Sequence, residues 1–336
     1  MDEELTRWRP RTPPVTGLVL PVPVDPAGRS GPTRGQRAGP RWRRTTPGLF
    51  VPSHVTDDLV EQRILEQSAR MGPSAVITGW AALRLQGGGF FDGLAPDGET
   101  RLPVPIAANG ERMRRHPGIH LVRDTVPPDE TVVVQGIRCA SVHRALYDEM
   151  RRRRLGREAT VAADMVFAAE LTSLLRMQTY TLSRRWFRDI RGVFACLAMA
   201  DEDSMSPPES RFRMIWEHDA RWGRPLCNRA VFDLDGLFLG IPDLLDPRRG
   251  VVGEYAGAHH RDRDRHRSDV RREDLFRRAG LEYVETVGGD LSDRRLVVER
   301  MQAAESRSGL LPRRWCLGPD RPSLDERLAL REVGVE

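Results

Sequence analysis

Two acids and a histidine within one short stretch have the means to do chemistry. Residues 231–269 read VFDLDGLFLGIPDLLDPRRGVVGEYAGAHHRDRDRHRSD. An apolar run from Val231 to Leu245 is broken by Asp235-Gly236. A second turn, Asp246-Pro247-Arg248-Arg249-Gly250, precedes the run Val251 to Tyr255. Apolar runs joined by tight Gly/Pro turns predict antiparallel strands. A turn centred on Arg248-Arg249 sets position 243 opposite position 254. Opposed residues share a face, with Cβ atoms roughly 4.5–5.5 Å apart. Asp243 and Glu254 then become two carboxylates side by side in mostly apolar strands. Like charges that close need a shared proton or a divalent cation. Mg²⁺ (or Mn²⁺) suits the donor type, because it takes carboxylate oxygens and keeps waters for a phosphate. A register shifted by one residue would turn one of the two acids to solvent, so both alternatives stand.

A helix is expected before these strands, over about 207–220, opened by Ser206-Pro207-Pro208-Glu209. As S-x-x-E, Ser206 and Glu209 form a capping box, with Pro207 at the first helical position. Behind the strands, 266–279 reads as a helix that buries Val270, Leu275, Phe276 and Ala279. Residues 281–287 read as a strand and 291–304 as a last helix. The order α-β-β-β-α-β-α fits an α/β core, one sheet flanked by helices.

An Asp on one strand, a Glu on the next and a Glu on the preceding helix resemble the PD-(D/E)XK nuclease core. More narrowly, GIPDLLDPRRGVVGEYAGAHHRDRDRHRSDVRRE is similar to the Vsr-like (very-short-patch-repair endonuclease-like) C-terminal domain of uncharacterised actinobacterial proteins. There a strand carries Asp, and E-Y-D-G-x-x-H is followed by an Arg/Asp-rich helix. The matching residues are Asp243, Glu254, Tyr255, Gly257 and His260. Ala256 stands where that family has Asp, on the third residue of the E-x-K triplet. The resemblance implies a restriction-endonuclease-like domain over 201–305. Its metal ligands would be Asp243 and Glu254, with Glu209 as a third, beside its capping role.

The implied chemistry is metal-assisted phosphodiester hydrolysis on DNA, in repair, restriction or phage defence. All 53 strong cations are Arg and no Lys occurs, so no lysine serves at the site. Water activation then falls to His260, whose neutral imidazole accepts a proton near pH 7. Arg261, Arg263, Arg267 and Arg271, with Arg265 and Arg272, are the expected phosphate contacts. The interleaved Asp262, Asp264, Asp269, Glu273 and Asp274 fit a solvated, salt-bridged helix face as well. Two functions remain in view: an endonuclease, or a catalytically degenerate nuclease fold acting as a DNA-binding or antitoxin-like regulator.

A chain of 336 residues has room for two domains. Its net charge of +5 allows a nucleic-acid partner without demanding one. The four Cys at 139, 196, 227 and 316 form no CxxC pair, which excludes a zinc ribbon and reads as reduced and cytoplasmic. The N-terminus has no secretory apolar core, and no run reaches the ~18 apolar residues of a membrane helix.

The overall class expected is α/β, a mixed N-terminal region followed by the nuclease-like domain. Repeated Pro and Gly predict a disordered arm over 1–40. Residues 41–52 read as a hairpin. The region 41–200 resembles an AbiEi-antitoxin-like mixed α/β domain, in which that hairpin is a remnant wing and an undetermined toxin is a partner. Helices are expected over 57–70, 80–85, 142–153, 158–172 and 183–200, and strands over 75–78, 102–107, 118–123 and the hairpin 131–140. Gly87-Gly88-Gly89 reads as a helix stop. Trp216, Trp222 and Trp315 read as packing residues. Residues 201–207 have the composition of a linker, and 306–336 are a charged tail.

Overall fold

In the computed structural model the chain is mixed α/β, and it divides into two compact units, 1–154 and 155–336. The structure describes residue 12 and residues 14–257, 272–310 and 312–334.

The first unit begins with a small sheet. Strands β1 (Val22–Pro23), β2 (Trp42–Thr46) and β3 (Leu49–Pro52) lie in the order β1-β3-β2, all antiparallel. The expected hairpin is β2–β3. The expected disorder over 1–40 is corrected for its described part. The Asp25 carboxylate accepts the backbone N–H groups of Ala27, Arg29 and Ser30, which fixes a loop after β1. Those three donors hold its pKa down to about 2.

Beyond it lies a mixed five-stranded sheet. Its strands are β4 (Val76–Ile77), β5 (Val104–Ala107), β6 (Ile119–Val122), β7 (Thr131–Val134) and β8 (Ile137–Ala140), in the order β6-β5-β4-β8-β7. The β7–β8 turn takes positive φ at both Gln135 and Gly136, the geometry that a two-residue hairpin requires. Helices Val60–Ser68, Gly79–Leu85 and Val142–Arg152 supply Ile64, Trp80, Leu83, Leu146 and Tyr147 to the core. The triple glycine does stop a helix. The Gly88 N–H donates to the Leu83 carbonyl and the Gly87 N–H to that of Arg84, closing the last turn.

The second unit starts at 155, so the boundary expected at 200/201 falls inside it. Residues 201–207 are not a free linker. The Asp201 N–H donates to Asp164, the Leu174 N–H donates to Glu202, and Ser204 is buried, accepting from Arg213 Nε. The segment is tied to its neighbours by part-buried hydrogen bonds. Helices Arg157–Ala168, Leu174–Ser183 and Ile190–Met199 precede it. The helix expected over 183–200 is corrected to Ile190–Met199, and the one before it, Leu174–Ser183, is not foreseen from the sequence. That helix is N-capped by Ser173, and Asp189 in a left-handed conformation separates it from the next.

Helix Pro207–Met214 runs into a π-turn, Ile215–Asp219. Strands follow at β9 (Leu226–Cys227), β10 (Val231–Asp233), β11 (Phe238–Gly240), β12 (Leu244–Asp246) and β13 (Val251–Ala256). Residues 272–278 are helical, and β14 (Glu282–Val287) and helix Arg294–Arg307 come next. The main sheet has the order β14-β13-β12-β9, with β13–β14 parallel and the other pairs antiparallel. The run Val231 to Leu245, expected to break at Asp235-Gly236, divides between two sheets. β10 and β11 leave for a second sheet, β11-β10-β15, completed by β15 (Trp315–Leu317). The tail expected over 306–336 therefore folds back. It ends in helix Leu324–Glu332, which has a capping box between Ser323 and Glu326.

Alternation along β12 and β13 sends neighbours to opposite faces of the sheet. Leu244 and Val251 join Phe212, Trp216, Val297 and Met301 on one side. Leu245 and Val252 join Val231, Phe276, Leu281 and Trp315 on the other. Gly253 sits where helix 207–219 presses on the sheet. A Cβ there would lie 2.7 Å from Phe212 and 2.9 Å from Trp216, so a larger residue would push the helix away. Trp216 and Trp315 are buried, and Trp222 packs edge-on against Trp216 with centroids 4.9 Å apart, as expected of packing residues.

Candidate carboxylate site

The β12–β13 ladder pairs Leu244 with Gly253, Leu245 with Val252 and Asp246 with Val251. Carried one step further, the same register sets Asp243 opposite Glu254, as the turn centred on Arg248-Arg249 predicts. The Asp246 carboxylate holds that turn by accepting the N–H groups of Arg248 and Arg249. By alternation Asp243 and Glu254 belong to the face of Leu245 and Val252, which helix 272–278 covers through Phe276.

Each acid has its own positioning partners. One oxygen of Asp243 accepts the Tyr255 N–H at 2.7 Å. Glu254 is buried, and its Oε2 accepts from Arg272 Nη2 at 3.0 Å. Glu209 keeps the capping bond that the sequence offered, although its carboxylate takes the Met205 N–H rather than that of Ser206. Its N–H donates to Ser206 Oγ at 3.3 Å, the capping bond, while its carboxylate accepts from Ser206 Oγ, the Met205 N–H and Asn228 Nδ2. It also lies close enough to Asp243 to disturb its ionisation. Burial pushes the Asp243 carboxyl well above its ordinary range, and the Glu209 and Glu254 carboxylates push it further. The Tyr255 N–H and Arg272 oppose this without cancelling it.

Two positioning residues are not legible in the sequence. Asn228, in a left-handed conformation, donates its backbone N–H to the Asp243 carbonyl and its side chain to Glu209. It thereby spans the helix acid and the strand acid. Arg272 was expected on phosphate and is found on Glu254. A pattern of Asn between a helix acid and a strand acid gives no local signal, because its meaning depends on the fold. His260, Arg261, Arg263, Arg267 and Arg271 lie outside the described residues, as do His259 and Arg265.

The donor set is chemically suited to a hard divalent cation, since it offers three carboxylates and no sulfur or imidazole. As placed, the carboxylates are engaged by Ser206, Met205, Asn228, Tyr255 and Arg272, and no group of three or more His, Cys, Asp and Glu among the described residues stands ready to hold an ion. Binding one would draw Glu254 from Arg272.

No family model, curated protein or solved structure matches the chain. Among the described residues no helix is long and apolar enough to cross a membrane.

Proposed function

We propose that the second unit is a divalent-metal-dependent endonuclease of the PD-(D/E)XK, Vsr-like type, acting on DNA in the cytoplasm. One observation carries this reading: burial raises the Asp243 carboxyl, and Glu254, opposite it in the strand register, and Glu209, on the preceding helix, raise it further. Acids forced together against burial mark a site that a cation would relieve. The layout of one mixed sheet, with the acids on adjacent antiparallel strands, supports the same reading.

Asp243, Glu254 and Glu209 would hold Mg²⁺ or Mn²⁺, which when bound supplies Lewis-acid polarisation of a scissile phosphate. The chain's own contribution is positional. The Tyr255 N–H fixes one oxygen of Asp243, and Asn228 ties Glu209 to the strand. In this proposal His260 takes a proton from the attacking water, and Arg261, Arg263, Arg267 and Arg271 hold the phosphate backbone.

A second reading has its own support. Arg272 already neutralises Glu254, and Ala256 occupies the third position of the motif. A nuclease fold without turnover, serving as a DNA-binding or antitoxin-like regulator, would look the same. Supercoiled-plasmid nicking with Mg²⁺ or Mn²⁺ separates the two. The expected result is metal-dependent nicking by the wild type, reduced at least ~100-fold in Asp243→Ala and Glu254→Ala. Plasmid retention without nicking, unchanged in both variants, would replace the enzyme with the binding module.

A further inference from the structure

The most exposed tryptophan among the described residues stands away from the carboxylates, on the loop between helices Leu174–Ser183 and Ile190–Met199. Residues 183–191 read SRRWFRDIR, with four arginines and one acid around Trp186. Trp186 is 75% exposed, whereas Trp80, Trp216 and Trp315 are buried. A ring of that size left in water has a cost near room temperature, and nothing in the local packing requires it. The loop is not loose around it. Phe187 packs edge-on against both Trp186 and Tyr180, with centroids at 6.3 and 6.4 Å, and the Arg184 guanidinium lies 5.6 Å above the Tyr180 ring. The indole is therefore presented on a braced aromatic base.

Arg185 and Arg188 are exposed on the same short loop and Arg191 in the first turn of the helix after it, and Asp189 faces Arg188 at 3.6 Å. A shallow cleft of about 420 Å³ opens beside them, lined by Leu155, Phe187, Ile190 and Gly192 with Asp189 and Arg191. That volume falls within the roughly 300–1,000 Å³ of small-molecule sites. A solvent-facing aromatic ring, a set of arginines and an adjoining apolar cleft are what an unpaired nucleobase and its phosphates need. Bases stack on aromatic faces, and the backbone follows the positive charge. A duplex keeps its bases stacked internally and offers Trp186 nothing equivalent. Leu182 and Leu175, four and eleven residues back along the chain, are also exposed.

We propose that the Trp186 loop is a binding site for single-stranded nucleic acid, with Trp186 as the stacking platform and Arg185 and Arg191 as phosphate ligands. The site is independent of the carboxylate cluster and does not rest on its assignment. The test uses the full chain in EDTA, which halts any hydrolysis, and a fluorescently labelled 20-nucleotide oligo(dT) followed by anisotropy.

The wild type is expected to bind, and Trp186→Ala to bind about tenfold or more weakly, since stacking contributes roughly 1–3 kcal/mol per base. Arg185→Glu with Arg191→Glu should weaken binding further and flatten its salt dependence, by a slope of about 0.7 for each phosphate no longer neutralised. Because Trp186 projects into solvent, its variant should keep the far-UV circular dichroism of the wild type. Three results would overturn the proposal. One is oligo(dT) binding untouched by Trp186→Ala. Another is an equal loss for a duplex of the same length, or equal competition by poly-glutamate, either of which would make the patch a general polyanion or acidic-protein surface. The third is self-association in sedimentation that Trp186→Ala abolishes, which would give the surface to a second copy.

Discussion

Two clusters of buried acids, one in each unit, are built in opposite ways. In the first unit Glu130, Asp148 and Glu149 are met by three arginines. Arg144 bonds both Glu130 and Asp148, while Arg152 and Arg153 bond Glu149. Thr78 Oγ1 adds a further bond to Asp148. In the second unit Glu209, Asp243 and Glu254 are met, among the described residues, by Arg272 alongside neutral donors. The first cluster is matched in charge and serves to lock the Val142–Arg152 helix to its neighbours. In the second, burial and the neighbouring Glu209 and Glu254 carboxylates push the Asp243 carboxyl well above its ordinary range.

The sharpest way to break this contrast is to remove Arg144, which is 3% exposed. Arg144→Met leaves two buried carboxylates without their guanidinium. It should lower stability by about 3–5 kcal/mol in urea unfolding. Asp243→Asn is its counterpart. Without divalent cation it should stay within about 1 kcal/mol of the wild type, because it removes repulsion as well as a hydrogen-bond acceptor. Mg²⁺ at tens to hundreds of Kd should stabilise the wild type by about 1–3 kcal/mol and leave Asp243→Asn unmoved. If Asp243→Asn collapses as far as Arg144→Met, the two clusters are both structural and the contrast fails.

A smaller effect concerns an intermediate case. Arg213, fully buried, bonds both Asp164 and Glu217, and Arg224 also reaches Glu217 at 3.4 Å. Burial pushes the Asp164 carboxyl up to about 6, although Arg213 pulls the other way. In the unfolded chain an Asp titrates near roughly 3.9. Between those values the native state holds the extra proton, so stability falls as pH rises from roughly 4 through about 6 and then levels. Urea midpoints of wild type and Asp164→Asn at pH 4.5 and 7 check this. The wild-type decline should be absent from the variant, and a rise in wild-type stability over that interval would reverse the assignment.

Much of the site was legible because hairpin register is local. Arg248 and Arg249 fix the turn, and every pairing along β12–β13 follows by counting outward, Asp243 against Glu254 included. Ser206 and Glu209 were legible for the same reason, being one turn of helix apart. What stayed hidden depends on distant partners. β15 pairs with β10 across more than eighty residues, and nothing in RRWCLG announces that neighbour. Arg272 looked like one more arginine in a charged run, and its place on Glu254 appears only once helix 272–278 lies over the sheet. The boundary between compact units falls at 154/155 and not at 201–207, whose acidic composition gives no sign of the bonds that tie the segment to Asp164 and Leu174.

The last helix has a consequence for how the molecule is made. Arg327 and Arg331 reach Glu170, and Asp325 receives Ser173 Oγ and Arg176 Nε, so the end of the second unit clasps its beginning. A ribosome must release the chain through Arg331 before that clasp can close. The first unit has all its strands in hand much sooner, so it can reach its final form while the second still waits, part-assembled, for its closing helix to emerge.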